Sequence, residues 1–139
     1  MAETFAGFAP YHAEDKEEYM NDRQKAHFRA ILLAWKQELM EEGRRTVNSM
    51  QDEVLNLPDP NDRASQEEEF SISLRARDRE RKLLHKIDKS LGRLASEDYG
   101  YCEACGVEIG LRRLEARPTA ELCIDCKHLE EQKEKSQAT

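Results

Sequence analysis

The sequence predicts a mainly α-helical protein, built as a long antiparallel two-helix coiled coil with a small four-cysteine base and a C-terminal helix. Two proline-free stretches carry apolar residues every three or four positions, which indicates two long helices. A short turn containing prolines joins them, so they should lie side by side and antiparallel. Downstream, two Cys-x-x-Cys pairs indicate a module organised by its cysteines. We divide the chain into an arm (1–20), the coiled coil (21–98), the cysteine module (99–127) and a C-terminal helix with a frayed tail (128–139).

Composition limits both the size of the core and the class of protein. Of the 139 residues, 37% are charged and 6% are aromatic, and the formal net charge is −7. A chain of this kind does not build a large compact core. A net anion is also repelled by nucleic acid unless its cations are gathered on one face. The apolar runs fall short of the about 18 residues that a membrane span needs.

The N-terminal segment is not typical of a secretion signal, because it lacks a positive region followed by an apolar one. We therefore expect a cytoplasmic protein. In a reducing compartment, cysteines are more often metal ligands or redox groups than structural disulfides.

The first long helix should begin directly after Asn21. Asparagine is a favoured N-cap residue, and Gln24 is placed to complete a capping box by reaching back to it. Gly43 falls on the apolar line and indicates either a close crossing by a neighbouring helix or a bend. The predicted apolar seam comprises Leu32, Trp35, Leu39, Val47, Met50, Val54 and Leu57.

Prolines then separate the first helix from the second. Pro58 and Pro60 each lack a backbone donor, and Asp59 can cap a new helix that has Pro60 at its first position. A capping box that begins at Ser65 is an alternative start, and the second helix should end near Leu94. The arginines in its seam should pack their aliphatic portions against the seam and extend their guanidinium groups to acidic residues of the partner helix. The predicted seam comprises Phe70, Leu74, Arg77, Arg81, Leu84, Ile87, Leu91 and Leu94.

Two features of this arrangement stay open from the sequence. Each helix has one narrow apolar stripe, so the stripes should bury each other in a free-standing hairpin, although a bundle closed by dimerisation is the alternative. The arm is either a mobile tail or is held against the body by its aromatic residues Phe5, Phe8 and Tyr11.

The cysteine spacing predicts a structural zinc site. Cys102 and Cys105 form the first pair, and Cys123 and Cys126 form the second after seventeen intervening residues. Each Cys-x-x-Cys bends around a metal, and two pairs complete a closed tetrahedral site with no open position for catalysis. Gly106 supplies a permissive backbone after the first pair. A thioredoxin-like redox role would need a βαβ pattern, which neither pair has. The histidines are interpreted as surface or packing residues: His12, His27, His85 and His128.

Charge is segregated along the helices. The turn and restart (59–69) hold one cation against five carboxylates, a net charge of −4. The later part of the second helix (75–93) holds eight cations against three carboxylates, a net charge of +5. Most charged runs are solvated helix faces. However, an acidic end on two thin helices also suits a basic channel that guides nucleic acid or nucleotides. The basic part suits phosphate or an acidic protein rim.

Taken together, these segments resemble the DksA/TraR zinc-finger family of bacterial transcription factors, which bind RNA polymerase directly. The resemblance extends from Tyr11 to Lys135. It rests on PDPNDRASQEEEF at 58–70, on RDRERKL at 77–83, and on 101–127 with all four cysteines. The arm is shorter than is usual for the family and differs from its pattern.

The resemblance implies a regulator that is not an enzyme. Family members insert the coiled coil through the secondary channel of RNA polymerase, the pore by which nucleotides reach the active site. The tip near 58–66, here with Asp59, Asp62 and Ala64, acts close to the mobile catalytic elements. Open promoter complexes are destabilised, which represses stable-RNA promoters and activates some biosynthetic ones.

The resemblance also implies that the alarmone ppGpp is an effector at the polymerase interface, in the stringent response. By the matching positions, Lys86, Arg117 and Lys127 face that nucleotide, and Arg79 and Arg113 are further candidates for contact with polymerase or nucleotide. With the cysteine spacing, the net charge and the short apolar runs also considered, we expect one structural zinc ion, a monomer, no sequence-specific DNA binding and no membrane association.

Two other functions are weighed against regulation. The related Gre factors share the acidic-tip coiled coil, and their tip carboxylates help magnesium cleave backtracked RNA. Asp59 and Asp62 could hold such a metal, but the cysteine module and the residues of the tip favour regulation without cleavage. A zinc-containing DNA-binding module is the third candidate, and the net charge argues against it.

Overall fold

The computed structural model describes residues 7–55 and 60–137, with side chains outside 53–62. Four helices follow one another in this part of the chain: α1 (Asp22–Leu55), α2 (Pro60–Ala95), α3 (Leu111–Ala116) and α4 (Ile124–Gln137). The described residues contain no strand, and the bridge between Tyr101 and Glu108 is isolated. The predicted helical class is therefore confirmed. None of the described helices combines the length and the apolar character that crossing a membrane requires.

The chain forms two compact units, one from residues up to Leu33 together with those from Lys89 onward, and one from Ala34 to Asp88. The first unit has a small core built from α1, the end of α2 and the segment that follows. Phe28 and Leu114 are fully buried in it, and the Tyr99 hydroxyl donates a hydrogen bond to the Pro118 carbonyl at 2.6 Å. Burial raises the pKa of Tyr99 well above its usual value.

Asn21 caps α1 as predicted. Its side-chain oxygen accepts a hydrogen bond from the Gln24 amide at 2.9 Å, and its carbonyl accepts the first helical bond from Lys25 at 2.9 Å. The return contact differs from a standard capping box. The buried Gln24 side chain accepts from the amide of Met20 at 2.6 Å rather than from Asn21. The predicted box is therefore wrong in its second half, because the side chain reaches one residue further back.

The described part of the arm packs within the first unit. The Tyr11 amide donates to Glu115 at 2.7 Å, and the Tyr11 ring lies 5.4 Å from the His27 ring. His27 also contacts Glu115 at 2.7 Å, in agreement with its predicted packing role. Further along, the Tyr19 hydroxyl donates to the Gly100 carbonyl at 2.7 Å. Phe5 lies outside the described residues.

Glu17 joins this arm to the first turn of α1. Its carboxylate accepts hydrogen bonds from the Tyr11 hydroxyl, from Asn21 at 2.8 Å and from Gln24 at 3.3 Å. The donors, with Tyr11 foremost, lower the pKa of Glu17 to about 2. The arm is therefore fixed by polar contacts as well as by its aromatic rings.

In the second unit, α1 and α2 run antiparallel. Lys36 pairs with Asp88 at 2.7 Å, while Arg77, earlier on α2, contacts Gly43, which lies later on α1. Leu39, Gly43 and Met50 are buried on the α1 seam. Pro60 is the first residue of α2, as predicted, and the alternative start at Ser65 is wrong because α2 is continuous through it.

The α2 seam differs from the prediction at two positions. Leu74 is 51% exposed and Arg81 is also exposed, whereas Ser73 and Glu80 are partly buried. With these replacements the seam from Phe70 to Leu94 alternates steps of three and four residues, which is the coiled-coil repeat. The prediction followed the apolar side chain of Leu74, but the helix geometry turns it outward.

Gly43 makes room for an arginine side chain. A Cβ atom at this position would lie 2.9 Å from Nη1 of Arg77, which donates to the Gly43 carbonyl at 3.0 Å. The atoms that a Cβ at Gly43 would meet belong to the side chains of Arg77 and Glu80, so the glycine admits side chains of the neighbouring helix rather than a close crossing of the two backbones. Within the described residues, the Arg77 guanidinium binds a backbone carbonyl of the partner helix rather than the predicted carboxylate.

Candidate metal centre and cationic surface

The first cysteine pair lies in a tight backbone turn. The Cys102 amide donates to the Val107 carbonyl at 2.8 Å, and the Gly106 amide donates to the Cys102 carbonyl at 2.9 Å. Gly106 has φ of +79°, a conformation that favours glycine. The predicted role of Gly106 is therefore confirmed.

The second pair lies at the start of α4. Cys123 precedes the helix, Cys126 lies in its first turn, and the Lys127 amide donates to the Cys123 carbonyl at 3.0 Å. A helical turn brings residues three apart to the same side, so both sulfurs point the same way. The helix begins at Ile124, four residues before the predicted start of the C-terminal helix at 128.

The four sulfur atoms converge on one point. All four Sγ atoms lie within 4.8 Å of one another, and those of Cys105 and Cys123 are 3.7 Å apart. Zn–S bonds of about 2.3 Å in a tetrahedron separate the sulfurs by roughly 3.8 Å, so the cluster fits one zinc ion. Cys102 and Cys123 are buried, while Cys105 is exposed. A four-thiolate site has no open coordination position and serves structure rather than catalysis.

The pKa values of these thiols diverge because they crowd one another. Burial raises the pKa of Cys102, but backbone amide donors outweigh it and lower the value to about 6. The neighbouring thiols, Cys123 first, raise the pKa of Cys126 to about 12. Four thiolates at this spacing repel each other, so a bound cation is needed for all of them to ionise together.

Two cations of α2 contact the cysteine module. Lys89 lies 3.1 Å from Glu103 and 3.1 Å from Glu121, and hydrogen bonds to these carboxylates, Glu121 first, raise its pKa. Arg93 donates to the Tyr101 carbonyl at 2.6 Å. In the sequence, both cations appear only as members of a basic run, because the Lys89–Glu121 pair spans 32 residues and leaves no local signal.

Arginines line a cavity beside α3. Its volume is about 440 Å³, and its lining includes Arg112, Arg113 and Arg117. Arg113 is half-buried and donates from Nε to the Leu122 carbonyl at 3.0 Å, while the other two are exposed. The structure therefore brings together two of the predicted contact residues, Arg113 and Arg117, and adds Arg112.

The remaining predicted site residues lie elsewhere. Lys127 is half-buried in the first turn of α4. Ala64, Arg79 and Lys86 lie at exposed positions of α2. Asp59 lies outside the described residues, and Asp62 is described only as part of the α2 backbone.

Family models match most of the chain. Residues 24–94 match the model of the DnaK suppressor protein DksA, N-terminal domain, and residues 97–132 match the prokaryotic dksA/traR C4-type zinc finger. The second match includes all four cysteines, in agreement with the geometry of the cluster.

Individual relatives are similar over nearly the whole length. The RNA polymerase-binding transcription factor DksA of Escherichia coli K12 is 64% identical over 133 residues, which are 96% of this chain and 88% of the relative. The protein of the same name from Haemophilus influenzae is 62% identical over 96% of this chain and 92% of its own. Among solved structures, transcription factor DksA2 from Pseudomonas aeruginosa superimposes with a TM-score of 0.81 at 42% identity, covering 86% of this chain and 94% of that one.

Proposed function

Since the chain belongs to the DksA family, we propose that it is a cytoplasmic transcription factor that binds RNA polymerase directly. The observation that carries the proposal is the similarity across 96% of the chain to a factor named for polymerase binding. The zinc centre supports a non-catalytic role, because four thiolates leave the metal no position for substrate.

We propose further that the hairpin acts through the secondary channel of polymerase. The turn and restart (59–69) have a net charge of −4, whereas residues 75–93 have a net charge of +5. In the described part of this turn, Glu67, Glu68 and Glu69 are all exposed. A solvated acidic end is suited to a channel with a positive potential. Regulation of open-complex stability, with repression of stable-RNA promoters and activation of some biosynthetic ones, follows from the family resemblance.

Multi-round transcription from a ribosomal promoter tests this proposal. We expect the zinc-loaded full chain to reduce the transcript, and to reduce it further when ppGpp is present. Direct binding to core polymerase, measured in parallel, should require no promoter DNA. Absence of polymerase binding would contradict the proposal.

A transcript-cleavage assay on backtracked complexes separates this proposal from a Gre-like function. We expect no cleavage beyond the intrinsic rate of polymerase when the chain and magnesium are added together. Added cleavage would assign Asp59 and Asp62 to a metal site. Weak binding to DNA alone at low salt, without sequence preference, would be consistent with the net charge of −7.

The cations Lys86, Arg117 and Lys127 are proposed to face ppGpp. Changing each one to alanine should reduce the response to ppGpp and preserve most of the inhibition without it, because each removes one charge-assisted contact to a phosphate. The measurement is the ratio of transcript with and without ppGpp. Lys133→Ala, an exposed lysine further along α4, is the control and should leave the ratio unchanged. Equal loss of both activities would indicate a general polymerase contact instead.

A further inference from the structure

Lys89 contacts both cysteine-bearing segments at once. Its Nζ lies 3.1 Å from an oxygen of Glu103 and 3.1 Å from an oxygen of Glu121. Glu103 lies between the two cysteines of the first pair, and Glu121 lies two residues before Cys123 of the second. One ammonium group on α2 therefore joins the segments that supply the two halves of the zinc site.

Neighbouring contacts extend this junction. The backbone amide of Glu103 donates to the Glu121 carbonyl at 2.9 Å, which joins the two segments edge to edge. Arg93, one helical turn after Lys89, donates to the carbonyl of Tyr101, the residue before the first cysteine. The side chain of Arg93 is only 12% exposed, and its Nε lies 3.9 Å from Glu103. The end of α2 thus holds the module by two cations.

We propose that Lys89 is a clamp through which α2 retards the loss of zinc. Isolated exposed ion pairs contribute little to stability. Here, however, one ammonium is shared by two carboxylates that would repel each other without it. Four thiolates with one Zn²⁺ also carry a net charge of −2, so removing a nearby cation destabilises the charged centre further. Without Lys89, the two segments separate more often and expose the thiolates to competitors.

The clamp concerns zinc release from the free protein, so it is independent of the proposed function. The test follows transfer of zinc from the full chain to the chelator 4-(2-pyridylazo)resorcinol. We expect Lys89→Met to release zinc at least about threefold faster than the wild type at low salt, the scale of a small ion-pair network. The difference should shrink in 1 M salt, where the Debye length is about 3 Å.

Two variants serve as controls. Lys82→Met removes an exposed lysine from the same helix whose ion pair within the described residues is with Asp78, and it should release zinc at the wild-type rate. Lys89→Arg retains the charge and should restore slow release. Should Lys89→Met lack helical circular dichroism, Lys89→Gln removes the same charge with a polar side chain and should also accelerate release.

Hydrogen exchange gives a readout that does not depend on the chelator. With zinc bound, Lys89→Met should raise amide exchange in the last turns of α2 and in residues 101–107, whereas Lys82→Met should not. Zinc release and amide exchange that are both unchanged in Lys89→Met would overturn the proposal. Additive effects of Lys89→Met and Glu121→Gln in a double-mutant cycle would also overturn it, because a shared contact must give non-additive effects.

Discussion

Cys102→Ser is expected to abolish zinc binding and to unfold the cysteine module. Cys102 is buried, and its Sγ lies within 4.8 Å of the other three sulfurs. A structural zinc site contributes about 10–16 kcal/mol of apparent binding free energy. Small domains retain only about 5–15 kcal/mol of stability in total, so the module cannot compensate for the loss of one ligand. Residues 99–127 should therefore lose their cooperative structure.

The measurements are zinc content by mass spectrometry under native conditions and amide exchange along the chain. Ala104→Ser is a matched control, because it changes an exposed residue in the same Cys-x-x-Cys and removes no sulfur. It should retain one zinc ion per chain. Exchange in the second unit, Ala34 to Asp88, should change less than exchange in the module, since its packing does not include the metal. One zinc ion retained by Cys102→Ser would contradict the assigned ligand set.

The structural features that could be predicted are those decided by residues close together in the chain. The cysteine spacing, the N-cap at Asn21 and the proline at the start of α2 each have a short-range physical cause, and each is found in the structure. The antiparallel pairing of the helices followed from the short connection and is also confirmed. These features could be predicted because the residues that decide them are neighbours in the chain.

Features that depend on distant residues could not be predicted. The burial of Tyr99 against Phe28 and Pro118 is an example, because three separate segments must first come together. The Lys89 contacts with Glu103 and Glu121 belong to the same class. Nothing in the sequence around Lys89 indicates that its carboxylate partners lie in the cysteine module.

The coiled-coil seam illustrates a different limit. Leu74 is apolar and fits a four-residue step from Phe70, yet it is exposed, and Ser73 takes the seam position. The apolar side chain of Leu74 would favour burial, but the three- and four-residue spacing of the whole seam places Ser73 toward the partner helix instead. The partly buried Arg77 and Glu80 are tolerated because Gly43 leaves space on the partner helix.

The largest functional effect should come from Asp62→Asn at the turn. The change keeps the size of the side chain and removes one charge from a segment whose net charge is −4. If the proposed tip acts inside the polymerase channel, inhibition at a ribosomal promoter should be lost. Polymerase affinity should stay within about twofold, which corresponds to less than 0.5 kcal/mol, since most of the proposed contact lies outside the turn.

Separating these two effects requires transcription and binding to be measured on the same preparation. Glu67→Gln is the matched control, because it removes one charge from an exposed residue of the same acidic segment. The proposed role belongs to the position of Asp62 and not to the total charge, so this control should still inhibit. Equal loss of inhibition in both variants would indicate that the segment acts by general electrostatic attraction to the channel and not by a specific contact of Asp62. Unchanged inhibition by Asp62→Asn would refute the tip mechanism while leaving the zinc centre and polymerase binding intact.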